Sequence, residues 1–287
     1  MKSLEVTYRY RLGGSGKARR PQDAAEARSR LAMGNQNFAT LLAQSRNDGA
    51  VARRLVELDA ADLGIVGPGD APQAQKPFAI VVGCSDARVP VELIFSEGPN
   101  DLFVIRVAGN GLGSDVLASL DYAAEHLRDS LKLVVVLAHS GCGAITAGVD
   151  IYLRPSGYLS LASDHALRAV LDRQFVVIDT VSRSMAAALG PEVVDRPGYR
   201  SALIEASIVA NAAVTAYEIR QELARISGHA LQTLFGVYVL ERHSIWVPAC
   251  KMSDDRTFAT PPADGADFAV FFTELVKSDR ITALLAA

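Results

Sequence analysis

Phe78-Ala-Ile-Val-Val-Gly83 runs directly into Cys84-Ser-Asp86-Ala-Arg88, and Leu133-Val-Val-Val-Leu-Ala138 runs directly into His139-Ser-Gly-Cys142. Short, unbroken apolar runs rich in Val and Ile and bounded by turn residues read as buried parallel strands. Each run would then place a chemistry-bearing cluster at the carboxyl end of its strand. In open α/β sheets that edge is where ligands bind. Two Cys, one His and one Asp converging there form a candidate zinc site. Thiolate, imidazole and carboxylate are all zinc ligands, and three protein ligands with one open position is the catalytic pattern.

The elements outward from these strands alternate. Residues 22–46 read as a helix with Leu31, Phe38, Leu41 and Leu42 as its apolar contacts, started by Pro21 and the acidic Asp23 and Glu26. Leu102-Phe-Val-Ile105 reads as a strand that enters the glycine-rich turn Gly109-Asn-Gly-Leu-Gly113. Val116, Leu117, Leu120, Ala123, Ala124 and Leu127 fall at helical spacing. Helices are expected at 143–150, near 164–188 and at 201–226, and strands at 234–240 and 244–248. One or two helices are expected over 266–286. Residues 62–77 read as a loop. The pattern predicts an α/β fold: a central, mostly parallel β-sheet flanked by α-helices, with an N-terminal helical arm and a C-terminal helical extension. Three units are expected: a flexible N-terminal arm over 1–21, a zinc domain over 22–252 and the extension over 253–287. Residues 1–12 alternate like a strand or a loose arm, and Gly13-Gly-Ser-Gly16 reads as a flexible joint.

The totals narrow the class. The 287 residues are 49% hydrophobic and carry a net charge of −3 from 29 basic and 32 acidic side chains. No basic block stands out, which argues against nucleic acid as a partner. No apolar stretch is read as reaching the roughly 20 residues of a membrane span, so no membrane partner is expected. The N-terminus lacks the apolar core of a secretory signal. Three cysteines, two of them in the clusters, favour reduced thiols and a cytoplasmic setting over a disulfide framework. Cys250 reads as a bystander, and His126, His165, His229 and His243 have no supporting pattern. The glycines at 109, 111 and 113 fail the dinucleotide spacing at its last position and read as a tight turn.

Zinc on Cys84, His139 and Cys142 would make a hydroxide nucleophile of bound water. Two thiolates and a neutral imidazole cancel the formal charge of the dication. The water should therefore be less acidic than at a three-histidine site, and activity should rise toward alkaline pH. Asp86 and Arg88 alternate with Cys84 along an extended segment and can share its side. Arg88 can grip Asp86 as a bidentate pair, leaving the carboxylate to accept a proton from the nucleophile. Released, Asp86 can become the fourth ligand and close the site.

Cys84-Ser-Asp86-Ala-Arg88-Val-Pro90 with His139-Ser-Gly-Cys142-Gly resembles the β-class carbonic anhydrases. Arg30 to Phe38 looks like the N-terminal helix of that family, Asn100 to Asn110 like its second strand and turn, and Ser119 to Leu127 like its next helix. Ser207-Ile-Val-Ala-Asn211 and Gly236-Val-Tyr238 fall where the family has a late helix and fourth strand. The resemblance covers roughly 25–250. It implies zinc on Cys84, His139 and Cys142, Asp86 and Arg88 as the catalytic pair, and Asp86 as a fourth ligand in a closed state. It also implies reversible hydration of carbon dioxide to bicarbonate and a proton, by a homodimer or higher homo-oligomer. Val107 stands where the family usually has Asn, and Ala87 where it has Ser. Two alternatives share the scaffold: hydrolysis of carbon disulfide or carbonyl sulfide, and a catalytically silent bicarbonate-binding or assembly module.

Overall fold

The computed structural model describes residues 4–12, 20–47, 51–63, 73–161, 165–227, 231–249 and 257–286. The glycine joint at 13–16 and Cys250 lie outside them. In chain order the elements are β1 (Leu4–Arg11), α1 (Ala24–Asn47), β2 (Ala52–Asp59), β3 (Ala79–Gly83), α2 (Val91–Phe95), β4 (Leu102–Arg106) and α3 (Ser114–His126). There follow β5 (Leu133–His139), α4 (Gly143–Leu153), α5 (His165–Leu189), α6 (Tyr199–Ser227), β6 (Gln232–Val239), β7 (Ser244–Trp246), α7 (Gly265–Val276) and α8 (Asp279–Ala286).

The main sheet has the order β4-β3-β5-β6-β7. Its first four strands are parallel, and β7 returns antiparallel to β6. Every residue of β3 and β5 is buried, as expected of strands covered on both faces. Side chains alternate between two cores. Ile80, Val82, Val134 and Val136 face α3 through α8. Val81, Leu133, Val135 and Leu137 face α1, α2 and Phe258. The apolar residues anticipated on α1 and α3 fill these cores: Leu31 and Leu120 are fully buried, and Phe38 and Val116 nearly so.

The chain passes from β3 to β4 on one side, then crosses to place β5 on the other side of β3. The order therefore reverses between β3 and β5, and a crevice opens at their carboxyl ends. Asn110 fixes that crevice. Its side-chain amide donates to Val82 O and to Leu137 O, both at 3.0 Å, tying the carboxyl-terminal part of each strand to one residue. The turn holding it takes left-handed backbone at Gly109 (φ 62°) and Asn110 (φ 56°), the two residue types that tolerate it best. From α6, Asn211 donates to Gly109 O at 2.9 Å.

Three features differ from the sequence reading. The N-terminal residues form β1, which pairs in parallel with β2, a strand the sequence reading did not include. The C-terminal segment joins the core: Ala259 bridges Phe235, Phe258 packs on Phe95, and Phe271 and Leu275 are fully buried. Residues 199–225 of α6 are, by length and composition, apolar enough to cross a membrane, contrary to the expectation that no stretch reached that length. Most of that helix is buried against the sheet and its neighbouring helices, which accounts for its composition.

Replacing Asn110 with Ala strands two buried strand-end carbonyls. We expect a loss of about 1–3 kcal/mol for each carbonyl left unsatisfied, read as a lower urea midpoint of the metal-free protein. An unchanged midpoint would show that the amide does not tie the strands.

Candidate metal centre

Cys84 is the residue after β3, His139 is the last residue of β5, and Cys142 immediately precedes α4. The switch-point crevice brings them together: their ligand atoms all lie within 4.8 Å of one another, and all three residues are buried. The two sulfurs are 4.0 Å apart and unbonded. Two thiolates each about 2.3 Å from a tetrahedral zinc would stand about 3.8 Å apart, so the spacing suits such an ion. The imidazole is prepared for the same task. His139 Nδ1 lies 3.0 Å from Ser140 O. A carbonyl only accepts, so Nδ1 carries the proton and, in the neutral ring, the lone pair is on Nε2. That Nε2 is buried and has no hydrogen-bond partner. A buried acceptor without a donor is costly; here it faces two sulfurs, as a metal ligand should.

The electrostatics point the same way. The Cys142 thiol beside Cys84, with the neighbouring His139 ring and the Asp86 and Gly109 N–H groups, outweighs burial and holds Cys84 well below the usual thiol range. Cys142 is pushed strongly upward by that same neighbour and by burial. Two thiolates this close are not tolerated together without a cation. Burial disfavours the His139 imidazolium, but Cys84 and Asp86 outweigh burial and raise its pKa. The three groups share protons where a dication would replace them.

Asp86 and Arg88 are joined as the sequence suggested. Arg88 Nε donates to Asp86 Oδ1 at 3.0 Å and Nη2 to Oδ2 at 2.7 Å, and the Arg88 N–H adds a third bond to Oδ1 at 2.9 Å. These contacts hold the Asp86 carboxyl far below the ordinary carboxylate range. Its Oδ2 lies 3.7 Å from His139 Nε2, at the edge of the ligand cluster. The Arg88 side chain is 60% exposed and that of Asp86 17%, so the carboxylate is sheltered while its partner reaches solvent.

Some supporting residues escaped the sequence reading. Arg106 donates to Cys84 O at 3.0 Å and to Asp86 O at 2.6 Å, fixing the backbone that carries both side chains. Its signal was its place at the end of β4, beside β3. Val107, in place of the family's Asn, lies partly buried against the core, and its N–H continues the sheet to Gly83 O. His126 packs on Tyr122, and His243 accepts or donates at Tyr238 Oη; neither touches the cluster. The side chains of His165 and His229 lie outside the described residues.

Cys84→Ser and Cys142→Ser should each reduce bound zinc to well below one ion per chain after dialysis, by elemental analysis. Wild-type affinity should fall as pH is lowered, because both thiols and the imidazole must shed protons to bind. Retention of a full ion by either variant would remove that cysteine from the ligand set.

Residues 79–221 match the family model described as carbonic anhydrase. A carbonic anhydrase of Mycolicibacterium smegmatis is 43% identical over 90 residues, covering 30% of this chain and 43% of that protein. Carbonic anhydrase 2 of Mycobacterium tuberculosis is 40% identical over 100 residues, covering 34% of this chain and 47% of that one. The chain therefore spans less than half the length of these relatives. Among solved structures, the Coccomyxa β-carbonic anhydrase in complex with acetazolamide aligns with a TM-score of 0.46 at 19% identity, covering 60% of this chain and 72% of that one. The family match takes in both motifs, Cys84 to Arg88 and His139 to Cys142, and by it this chain belongs to the β-class carbonic anhydrase family.

Proposed function

We propose that this protein hydrates carbon dioxide reversibly to bicarbonate and a proton. The observation that carries the reading is the intact Asp86–Arg88 pair set against the Cys84–His139–Cys142 cluster. A purely structural metal site has no need of an ionised carboxylate held by a guanidinium at its edge. Zinc held by Cys84, His139 and Cys142 would supply Lewis-acid activation of water for attack on the carbon.

The chain's own residues do the rest. Three hydrogen bonds from Arg88 fix the Asp86 carboxylate in orientation and keep it ionised, so it is able to accept a proton at Oδ2, the oxygen nearer the cluster. Arg106 holds the Cys84–Asp86 backbone so that this oxygen stays in place. His139 keeps its proton on Nδ1 and offers Nε2 inward. The exposed Arg88 is the one element of the pair free to swing away, which supports Asp86 as an alternative fourth ligand in a closed form.

Two further parts belong to the same proposal. A cytoplasmic setting suits two thiols that must stay reduced to bind metal. A homodimer or larger assembly suits the β1–β2 ribbon, whose Tyr8, Tyr10 and Leu55 are exposed; solution mass tests it.

Zinc-loaded protein in stopped flow should hydrate carbon dioxide with a rate that rises from neutral to alkaline pH. Asp86→Asn should lower kcat roughly 100-fold or more with zinc content unchanged. No turnover at any pH with zinc bound would overturn the proposal.

A further inference from the structure

The peptide group joining Ser140 to Gly141 is held from both sides. Its C=O accepts from His139 Nδ1 at 3.0 Å, and its N–H donates to Glu205 Oε1 at 2.8 Å. A carboxylate on a peptide N–H pushes electron density toward the peptide oxygen and strengthens it as an acceptor. Glu205 thus acts on the imidazole without touching it, with the peptide as the relay. The turn that permits this needs Gly141, whose φ of 62° is left-handed.

Glu205 is itself held. Arg280, on α8, donates to Glu205 Oε2 from Nη2 at 2.8 Å and from Nε at 3.2 Å. Its Nη1 donates to Glu241 Oε1 at 3.0 Å, and the other oxygen of Glu241 accepts from Ser140 Oγ at 3.2 Å. One guanidinium therefore reaches both residues of the same peptide through two carboxylates. The Arg280 and Glu205 side chains are 19% and 13% exposed, so loss of either partner leaves a sheltered charge uncompensated. Helix α8 is seated firmly: Ile281 and Leu285 are buried. At Gly198 a Cβ would lie 1.8 Å from Leu284 O, so only glycine lets the two backbones meet. Arg280 lies beyond the residues that match the family model.

We propose that Glu205, braced by Arg280, is a positioning residue that fixes the tautomer and orientation of His139 through the Ser140–Gly141 peptide, and so sets the metal affinity of the site. This rests on the reading of Cys84, His139 and Cys142 as metal ligands. Outer partners of metal-bound histidines commonly contribute 10–100-fold in affinity.

The test uses metal-free wild type, Glu205→Gln, Arg280→Met and Arg280→Lys, with circular dichroism to establish folding. Each is titrated with zinc against a chromophoric chelator, and each is loaded with cobalt(II) for its visible spectrum. Glu205→Gln and Arg280→Met should weaken zinc binding about 10–100-fold and shift the cobalt bands, and Arg280→Lys should restore part of both. Folded Glu205→Gln with wild-type affinity and an unaltered cobalt spectrum would overturn the positioning role; this near-isosteric variant decides even where Arg280→Met does not fold. Wild type that binds neither ion would overturn the metal reading, and this inference with it.

Discussion

Strands β3 and β5 lie side by side in parallel, and the rest of the site depends on that pairing. Gly83 is in register with Leu137, so Cys84 and His139 emerge at nearly the same level of the sheet. The Asn110 amide locks the ends together by satisfying one carbonyl from each strand. A slip of one residue would reverse every side chain in β5 and move His139 to the other face. Both strands are apolar on both faces, so pattern alone leaves their register open; the shared amide and the two filled cores settle it.

The crevice so formed holds a cluster that is unfavourable without a cation. Two thiols at 4.0 Å and a buried imidazole compete for protons, and the contact between the sulfurs holds Cys84 low while it pushes Cys142 up. The surroundings are built to keep this arrangement. Arg106 grips the backbone on the Cys84 side, Asn211 holds the Gly109 carbonyl, and the Ser140–Gly141 peptide turns the imidazole. Asp86, kept ionised by Arg88, stands at the rim, 3.7 Å from His139 Nε2.

Much of this was legible locally. Apolar runs of β-branched residues marked β3 and β5, helical spacing marked α3, and a long stretch with few breakers marked α6, because burial and propensity leave their pattern in short segments. The candidate ligands were legible because two thiols, an imidazole and a carboxylate followed two such runs. β2 was not: Ala52-Arg-Arg-Leu-Val-Glu-Leu-Asp59 is charged and mostly half-buried, and its partner β1 lies far back in the chain. The C-terminal segment read as an appendage, because nothing local shows that Phe258 packs on Phe95 and Phe271 on Phe235.

By itself the sequence determined the strands and helices around the two motifs, the pair of loops that carry the candidate metal donors, and the family. Those are properties of short segments, where side-chain type and spacing express burial and bonding directly. Only the tertiary structure decided the switch point between β3 and β5, the tie through Asn110, and the reach of Arg280 to Glu205 across 75 residues of chain. These are contacts between segments whose sequences carry no mark of one another. An arginine on an amphipathic terminal helix looks solvated until the fold places a sheltered carboxylate opposite it.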